Sequence, residues 1–142
     1  MSPVRFFALG LLALILLGCS RPSPDEQLNR SLTELQEAIE ARSSERVLKL
    51  LHPEFNAHQP YDRDWARRTM ALLFLQHQRI QVLVLNQTTQ IDPIYSGQAR
   101  TEAQVTLSGA ERFIPDSTRY YRITLDWLED DGDWRVHRLS WE

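Results

Sequence analysis

Between residues 24 and 42, apolar residues recur at intervals of three or four positions, with polar residues between them. This spacing places them on one face of an α-helix, so it predicts a helix over 24–42 with one buried stripe. Ser23 at the N-cap, Pro24 at the first helical position and Glu26 completing a capping box predict where this helix begins. The stripe comprises Leu28, Leu32, Leu35 and Ile39.

Two further helices are predicted before residue 78. Ser43 and Ser44 interrupt the first helix and provide the cap of a short second helix, which His52-Pro53 ends. Asp62 provides the cap of a third helix, which runs to about His77. The positions that follow helical spacing on one side of this third helix are Trp65, Thr69, Leu72, Leu73 and Gln76, and Met70 and Phe74 widen its apolar face.

After Gln78 the period of the pattern changes from about 3.6 residues to about 2, which predicts β-strands. The run Ile80–Leu85 is apolar on both faces, so we expect it to be buried on both. Residues 99–107 alternate between a core face and a wet face, and residues 121–127 form the third strand. In the last strand, Trp134–Trp141, the apolar residues change face partway along, which predicts a bulge.

Turn-forming residues separate these strands. Asp92-Pro93 with Ser96-Gly97 marks the first turn, and residues 109–117 form a loop. Asp130-Asp131-Gly132-Asp133 predicts a hairpin, because Gly and Asp tolerate positive φ. The order of elements predicts an α+β fold class, in which three N-terminal helices pack on a mainly antiparallel four-stranded sheet.

Two segments carry a resemblance to a known family. Leu50-Leu51-His52-Pro53-Glu54-Phe55 closes the second helix, and Gly132-Asp133-Trp134-Arg135-Val136 opens the last strand. With the three helices and the strand meander, they resemble the nuclear transport factor 2-like superfamily, most of all its polyketide-cyclase-like branch. The resemblance covers nearly all of residues 25–142 and implies a cystatin-like α+β cone, in which a curved antiparallel sheet wraps a long helix. The stretch Pro53–Tyr61 is too short and polar to supply the small hairpin that many members place there.

The first nineteen residues predict export followed by lipidation. A positively charged start, Met1–Arg5, precedes an apolar run of 12 residues, Phe6–Leu17. This run is shorter than the roughly 20 residues that span a bilayer, so it is typical of a signal peptide. The junction Leu16-Leu17-Gly18-Cys19 resembles the bacterial lipobox, which implies acylation of Cys19, the only Cys of the chain.

The lipobox resemblance divides the chain into three parts: residues 1–18 are a signal peptide, 19–24 a lipidated tether and 25–142 the α+β domain. Ser20 follows Cys19 where many lipoproteins retained in the inner membrane have Asp. The resemblance therefore implies a lipid anchor, palmitate included, in the outer membrane of a Gram-negative cell, with the domain facing the periplasm. An uncleaved anchor and an ordinary signal peptide with an unrelated Cys are the alternatives.

The composition fits one ordinary globular domain, with 142 residues of which 42% are hydrophobic and 25% charged. The net charge is -3 and both signs are interspersed, so no basic face is offered to nucleic acid and no nucleic-acid partner is expected. A single Cys forms no intrachain disulfide, and no Cys/His spacing matches a structural zinc site. No cofactor is predicted.

Candidate metal ligands and catalytic groups are few. His52, His58, Asp62 and Asp64 match no recognisable metal site in their spacing, so no metal is predicted. We expect His52 at the C-terminus of the second helix, where its imidazole interacts with a free carbonyl.

Asp126 lies with Tyr120, Arg122 and Thr124 on one side of the third strand, opposite the apolar set. We expect this carboxylate to be solvated or paired with Arg122, rather than catalytic. The superfamily resemblance implies that isomerases and cyclases of this group use an Asp or His base and a Tyr or Asp oxyanion donor. No such motif matches residue by residue here, so no catalytic residue is predicted.

Three aromatic side chains, Trp65, Tyr121 and Trp127, are turned inward by the pattern. They either line an apolar pocket for a small ligand or fill the core. The function predicted from the sequence is that of a membrane-anchored, non-catalytic periplasmic domain that binds a small apolar ligand or a protein partner. The alternative is a lipoprotein enzyme of the isomerase or cyclase type that uses the cone pocket.

The outward leucines of the first predicted strand, Leu83 and Leu85, need a cover if helices bury the other face. A second copy of the chain provides one, which predicts a homodimer, and an envelope protein partner provides another. The loop 109–117, with Phe113 and Ile114, is the intrachain alternative.

Overall fold

The computed structural model describes residues 18, 20–58, 60–108 and 120–142. Its helices are α1 (Pro24–Glu40), α2 (Ser44–Leu50) and α3 (Arg63–Gln76), and its strands are β1 (Leu51–Ala57), β2 (Tyr61–Asp62), β3 (Gln81–Ile91), β4 (Gln98–Ser108), β5 (Tyr121–Asp130) and β6 (Asp133–Trp141). The strands form one sheet in the order β2-β1-β6-β5-β4-β3. Neighbouring strands are antiparallel except β1 and β6, which are parallel. The predicted α+β class is confirmed.

Each helix begins at the polar cap that the sequence predicts. Ser23 and Glu26 form the two reciprocal bonds of a capping box, since each side chain accepts the backbone N–H of the other. Ser43 and Asp62 each accept the backbone N–H three residues further along. Within the described residues, no helix combines the length and the hydropathy needed to cross a membrane.

Within the part of the chain that the structure describes, the sheet has six strands, so the prediction of four strands was wrong. The two additional strands, β1 and β2, pair as a small antiparallel hairpin with Ala57 opposite Tyr61, so the expectation that Pro53–Tyr61 is too short and polar to supply this hairpin was wrong. Phe55 and Ala57 are 3% and 0% exposed, which shows the alternation of a strand with one core face. β1 pairs with β6 in parallel, with Leu51 opposite Val136, and β2 contributes only two residues. A parallel pair between distant segments has no connecting turn to mark it in the sequence.

β3 lies at the edge of the sheet, which corrects the expectation that Ile80–Leu85 is buried on both faces. Val82 and Val84 face the core and are half-buried. Leu83 and Leu85 point the other way and are 58% and 47% exposed. The loop 109–117, the intrachain cover proposed for these leucines, lies outside the described residues.

The hydrophobic core lies between the helices and one face of the sheet, here called the inner face. Leu28 of α1 is fully buried, and Trp127, Trp134 and Val136 of β5 and β6 are each 1% exposed. Strand alternation sends the intervening residues to the outer face, which is largely polar. The inner face therefore holds the folding core, and the outer face is available for other roles.

A bulge interrupts β6, as the phase change of its apolar residues predicts. Asp126 pairs with Arg138, whereas the next residue, Trp127, pairs with Val136. His137 is thus the extra residue of β6. The bulge turns His137 and its successor to the outer face, while Leu139 returns to the inner face.

Candidate functional site

An apolar cavity of about 290 Å³ lies between the helices and the inner face of the sheet. Nineteen of the described residues line it, and none of the nineteen has an ionisable side chain. Thr69 supplies the one hydroxyl among them. All three helices and the inner face of the sheet contribute lining residues, among them Leu35 of α1, Val47 of α2, Ala66 and Met70 of α3, Val105 of β4 and Leu139 of β6.

Short side chains at buried positions leave this space open. Ala66 is 7% exposed and presents a single methyl group from α3. Val105 and Val136 face it from the sheet and are 5% and 1% exposed. Protein interiors are otherwise packed to crystal density with few voids larger than a water molecule. A cavity of about 290 Å³ is therefore much larger than the voids of an ordinary protein core.

The three aromatic residues that the sequence pattern predicts to face inward differ in their positions in the structure. Trp65 lines the cavity. Tyr121 does not, and it is half-buried on β5. Trp127 is packed into the core, where its Nε1–H donates to Thr101 Oγ1 at 3.1 Å, and Thr101 Oγ1 lies 3.0 Å from Thr89 Oγ1. Trp127 thus fills the core, which was the competing interpretation of this residue.

Trp65 belongs to an aromatic cluster that the sequence analysis did not find. Its ring centroid lies 4.7 Å from that of Tyr61 and 6.3 Å from that of Trp141. His58 packs edge-on against Trp141 at 4.3 Å, and its Nε2 accepts the Trp141 backbone N–H at 3.0 Å. The cluster joins the turn after β1 to β2, α3 and β6 beside the cavity. The separation of residues 58 and 141 in the sequence gave no signal of this contact.

The four residues considered as metal ligands in the sequence each contact a different partner in the structure. His58 is held by Trp141, Asp62 caps α3 and Asp64 pairs with Arg67 at 2.8 Å. His52 lies in β1 rather than at a helix terminus, which corrects its expected position. Its Nδ1 accepts the Glu54 backbone N–H at 3.1 Å, so it does not interact with a free helix carbonyl through that nitrogen.

Asp126 lies on the outer face, as strand alternation predicts, but its partner differs from the predicted one. Its carboxylate accepts from Arg100 Nε at 2.8 Å. Arg122 instead lies 3.5 Å from the Glu142 carboxylate. The hydrogen bond that Arg100 donates to the Asp126 carboxylate raises the pKa of the Arg100 guanidinium.

Comparison with solved structures identifies the architecture. The chain superposes on a nuclear transport factor 2-like protein from Cytophaga hutchinsonii with a TM-score of 0.69 at 13% identity, covering 84% of this chain and 98% of that one. The fold is nuclear transport factor 2-like. A proposed dehydratase of the nuclear transport factor 2-like family from Streptomyces avermitilis matches with a TM-score of 0.64 at 16% identity, covering 84% of this chain and 96% of that one. Bd1075 of Bdellovibrio bacteriovorus matches with a TM-score of 0.68 at 14% identity.

The match to Bd1075 covers 81% of this chain but 40% of that one, so this chain spans less than half of that protein's length. No protein-family model matches the sequence, and no curated protein sequence is detectably similar to it. The nuclear transport factor 2-like, or cystatin-like, fold inferred from the sequence is confirmed by these solved structures. At these identities the likeness concerns the fold alone.

Proposed function

We propose that this chain is a lipid-anchored periplasmic domain that binds a small apolar molecule in the cavity between its helices and its sheet. The observation that carries the proposal is the cavity's lining, which offers hydrocarbon, aromatic surface and the Thr69 hydroxyl. Burial of apolar ligand surface contributes about 25 cal/mol per Å², so such a lining favours apolar ligands without charged groups.

The cavity volume sets the size of the ligand. An apolar cavity of about 150 Å³ in a protein core accommodates benzene. The cavity here, at about 290 Å³, is roughly twice that volume. The ligand we propose is therefore a neutral molecule of about the size of two fused aromatic rings, or an aliphatic group of equal volume.

The proposed anchor places this cavity close to a bilayer. We propose that Cys19, which lies outside the described residues, is acylated after removal of residues 1–18, and that the protein resides on the periplasmic face of the outer membrane. α1 begins at Pro24, so four residues separate it from Cys19. Even fully extended, four residues span only about 14 Å. A short tether of this kind keeps the domain next to the membrane, where apolar molecules concentrate.

A fluorescent probe tests the binding function. Residues 20–142 contain all the described elements, which bury their apolar faces against one another, so we expect them to fold as a soluble α+β domain by circular dichroism. 1-Aminonaphthalene, a neutral fluorescent probe with two fused aromatic rings, is then titrated into this domain. We expect saturable binding with enhanced emission.

A matched pair of variants locates the probe. Ala66→Phe places a ring in the cavity, whereas Ala71→Phe makes the same change at an exposed position of α3. We expect Ala66→Phe to lower the probe affinity at least tenfold and Ala71→Phe to leave it unchanged. Equal affinities for the two variants would show that the probe binds elsewhere.

An enzyme of the isomerase or cyclase type is the second candidate, because a proposed dehydratase shares this fold. Such chemistry needs an acid or base within hydrogen-bond reach of the substrate. The described residues that line the cavity include no Asp, Glu, His, Lys or Arg. The lining therefore supports binding over acid–base catalysis.

A further inference from the structure

Three potential metal ligands meet on the outer face of the sheet, away from the apolar cavity. The parallel pairing of β1 with β6 sets Leu51 opposite Val136, so the next residues, His52 and His137, become neighbours. Their ring centroids are 5.4 Å apart. Glu54 is two residues beyond His52, in the part of β1 where the register with β6 shifts, and its carboxylate lies within 4.8 Å of a ring nitrogen of each histidine.

We infer that His52, Glu54 and His137, here called the outer-face triad, bind a zinc ion. One ligand atom from each side chain lies within 4.8 Å of the other two. Two imidazoles and one carboxylate are a donor set that zinc uses when three protein ligands leave the fourth position open. Calcium and magnesium prefer sites made of oxygen ligands, so the two imidazoles favour zinc over these ions.

To bind zinc, the three ligand atoms of the outer-face triad must move closer to one another. Zinc bonds of about 2.0–2.1 Å in tetrahedral geometry place the ligand atoms about 3.3 Å apart. His52 and His137 are half-buried and Glu54 is exposed, and we expect rotation of these side chains to close the remaining distance from at most 4.8 Å. One hydrogen bond must be exchanged, because His52 Nδ1 accepts the Glu54 N–H.

The surroundings of the outer-face triad leave room for a fourth ligand. Glu54 and His137 line a groove of about 880 Å³ on the side of the sheet that also carries Asp126 and Arg138. Arg100, another lining residue, is engaged by Asp126 at 2.8 Å. The groove admits water or a small anionic ligand to the open position of the ion.

Zinc uptake by the full-length chain in detergent tests this inference. The protein is stripped of metal with a chelator and titrated with zinc chloride. Zinc binding is measured by calorimetry, and the zinc that the protein retains after dialysis is measured by elemental mass spectrometry. We expect one zinc ion per chain. His137→Gln and Glu54→Gln should each lower zinc affinity at least tenfold, since even the loss of a residue that only orients a zinc ligand costs 10- to 100-fold.

His58→Gln is the matched control, because His58 is exposed at the end of β1 and its Nε2 is engaged by the Trp141 backbone. We expect zinc affinity to be unchanged in this variant. Nuclear magnetic resonance supplies a second readout, in which the Glu54 amide signal shifts on zinc addition in the wild type and not in His137→Gln. The inference is overturned if the wild type takes up no stoichiometric zinc, if calcium binds equally well, or if His58→Gln loses as much affinity as His137→Gln.

Discussion

The buried hydrogen bond between Trp127 and Thr101 gives a quantitative test of the core. Both side chains are 1% exposed, and Trp127 Nε1 lies 3.1 Å from Thr101 Oγ1. Thr101→Val keeps the shape of the side chain but leaves the indole N–H buried without an acceptor. Leaving such a donor unsatisfied costs about 1–3 kcal/mol. We therefore expect the free energy of unfolding of Thr101→Val to fall by about this amount.

The double variant decides whether the hydrogen bond is the cause. Trp127→Phe removes the donor, so adding Thr101→Val to it orphans no N–H group. Replacing both partners of a hydrogen bond with apolar groups is nearly neutral with respect to that bond. We expect the double variant to be about 1–3 kcal/mol more stable than the sum of the single changes predicts, measured by urea denaturation followed by circular dichroism. Additivity within about 0.3 kcal/mol would refute a stabilising hydrogen bond between Trp127 and Thr101.

Four further predictions concern other parts of the chain. Asp126→Asn should leave probe affinity unchanged, because its carboxylate lies on the outer face bonded to Arg100; a tenfold loss in titration would contradict this face assignment. We expect the wild type to dimerise through the edge of the sheet, where Leu83 is 58% exposed. Leu83→Glu should then sediment as a monomer, and a wild type that is monomeric at high concentration would exclude the dimer. Cys19→Ala should block lipid attachment, and mass spectrometry of the wild type that shows an unmodified thiol would reject the anchor. The backbone N–H groups of Tyr95 and Ile94 donate to the Asp92 carboxylate and lower its pKa. The ionised carboxylate therefore stabilises the fold above its unfolded pKa of about 3.9, and this stabilisation is lost as the pH falls. Acid titration of unfolding should show a smaller loss of stability below about pH 4 in Asp92→Ala than in the wild type.

The helices and the β5–β6 hairpin could be predicted because their signals are local. Ser23, Ser43 and Asp62 are caps whose partners lie three residues away. Asp131 and Gly132 have φ values of 51° and 84°, which is the conformation that the hairpin turn requires. In each case the residues that determine the element are neighbours in the sequence.

The β1–β6 pair could not be predicted, because its partners are about eighty residues apart and no turn connects them. The same limit hid the outer-face triad. His52 and Glu54 are visible in the sequence as alternate residues, but only the parallel register and the β6 bulge bring His137 beside them. The edge position of β3, which exposes Leu83, likewise depends on the order of strands rather than on the strand's own pattern.

The cavity was predicted only in part. Helical spacing predicts that Trp65 faces inward, and in the structure this residue lines the cavity. Strand alternation predicts that Asp126 and Trp127 lie on opposite faces of the sheet, and Asp126 lies on the outer face, bonded to Arg100. A cavity, however, arises from the summed volumes of side chains on several elements, such as Ala66 on α3 and Val136 on β6. Sequence periodicity identifies which residues face inward, but it does not determine how completely they fill the space.

A crystal structure of the domain soaked with bromonaphthalene tests the central claim most directly, because bromine is located by its anomalous signal. The account predicts a bromine peak inside the cavity, between Ala66 of α3 and Val136 of β6. It also predicts that this peak disappears in Ala66→Phe and remains in Ala71→Phe. A cavity filled by the protein's own side chains, or bromine bound only at the surface, would contradict the proposed binding function.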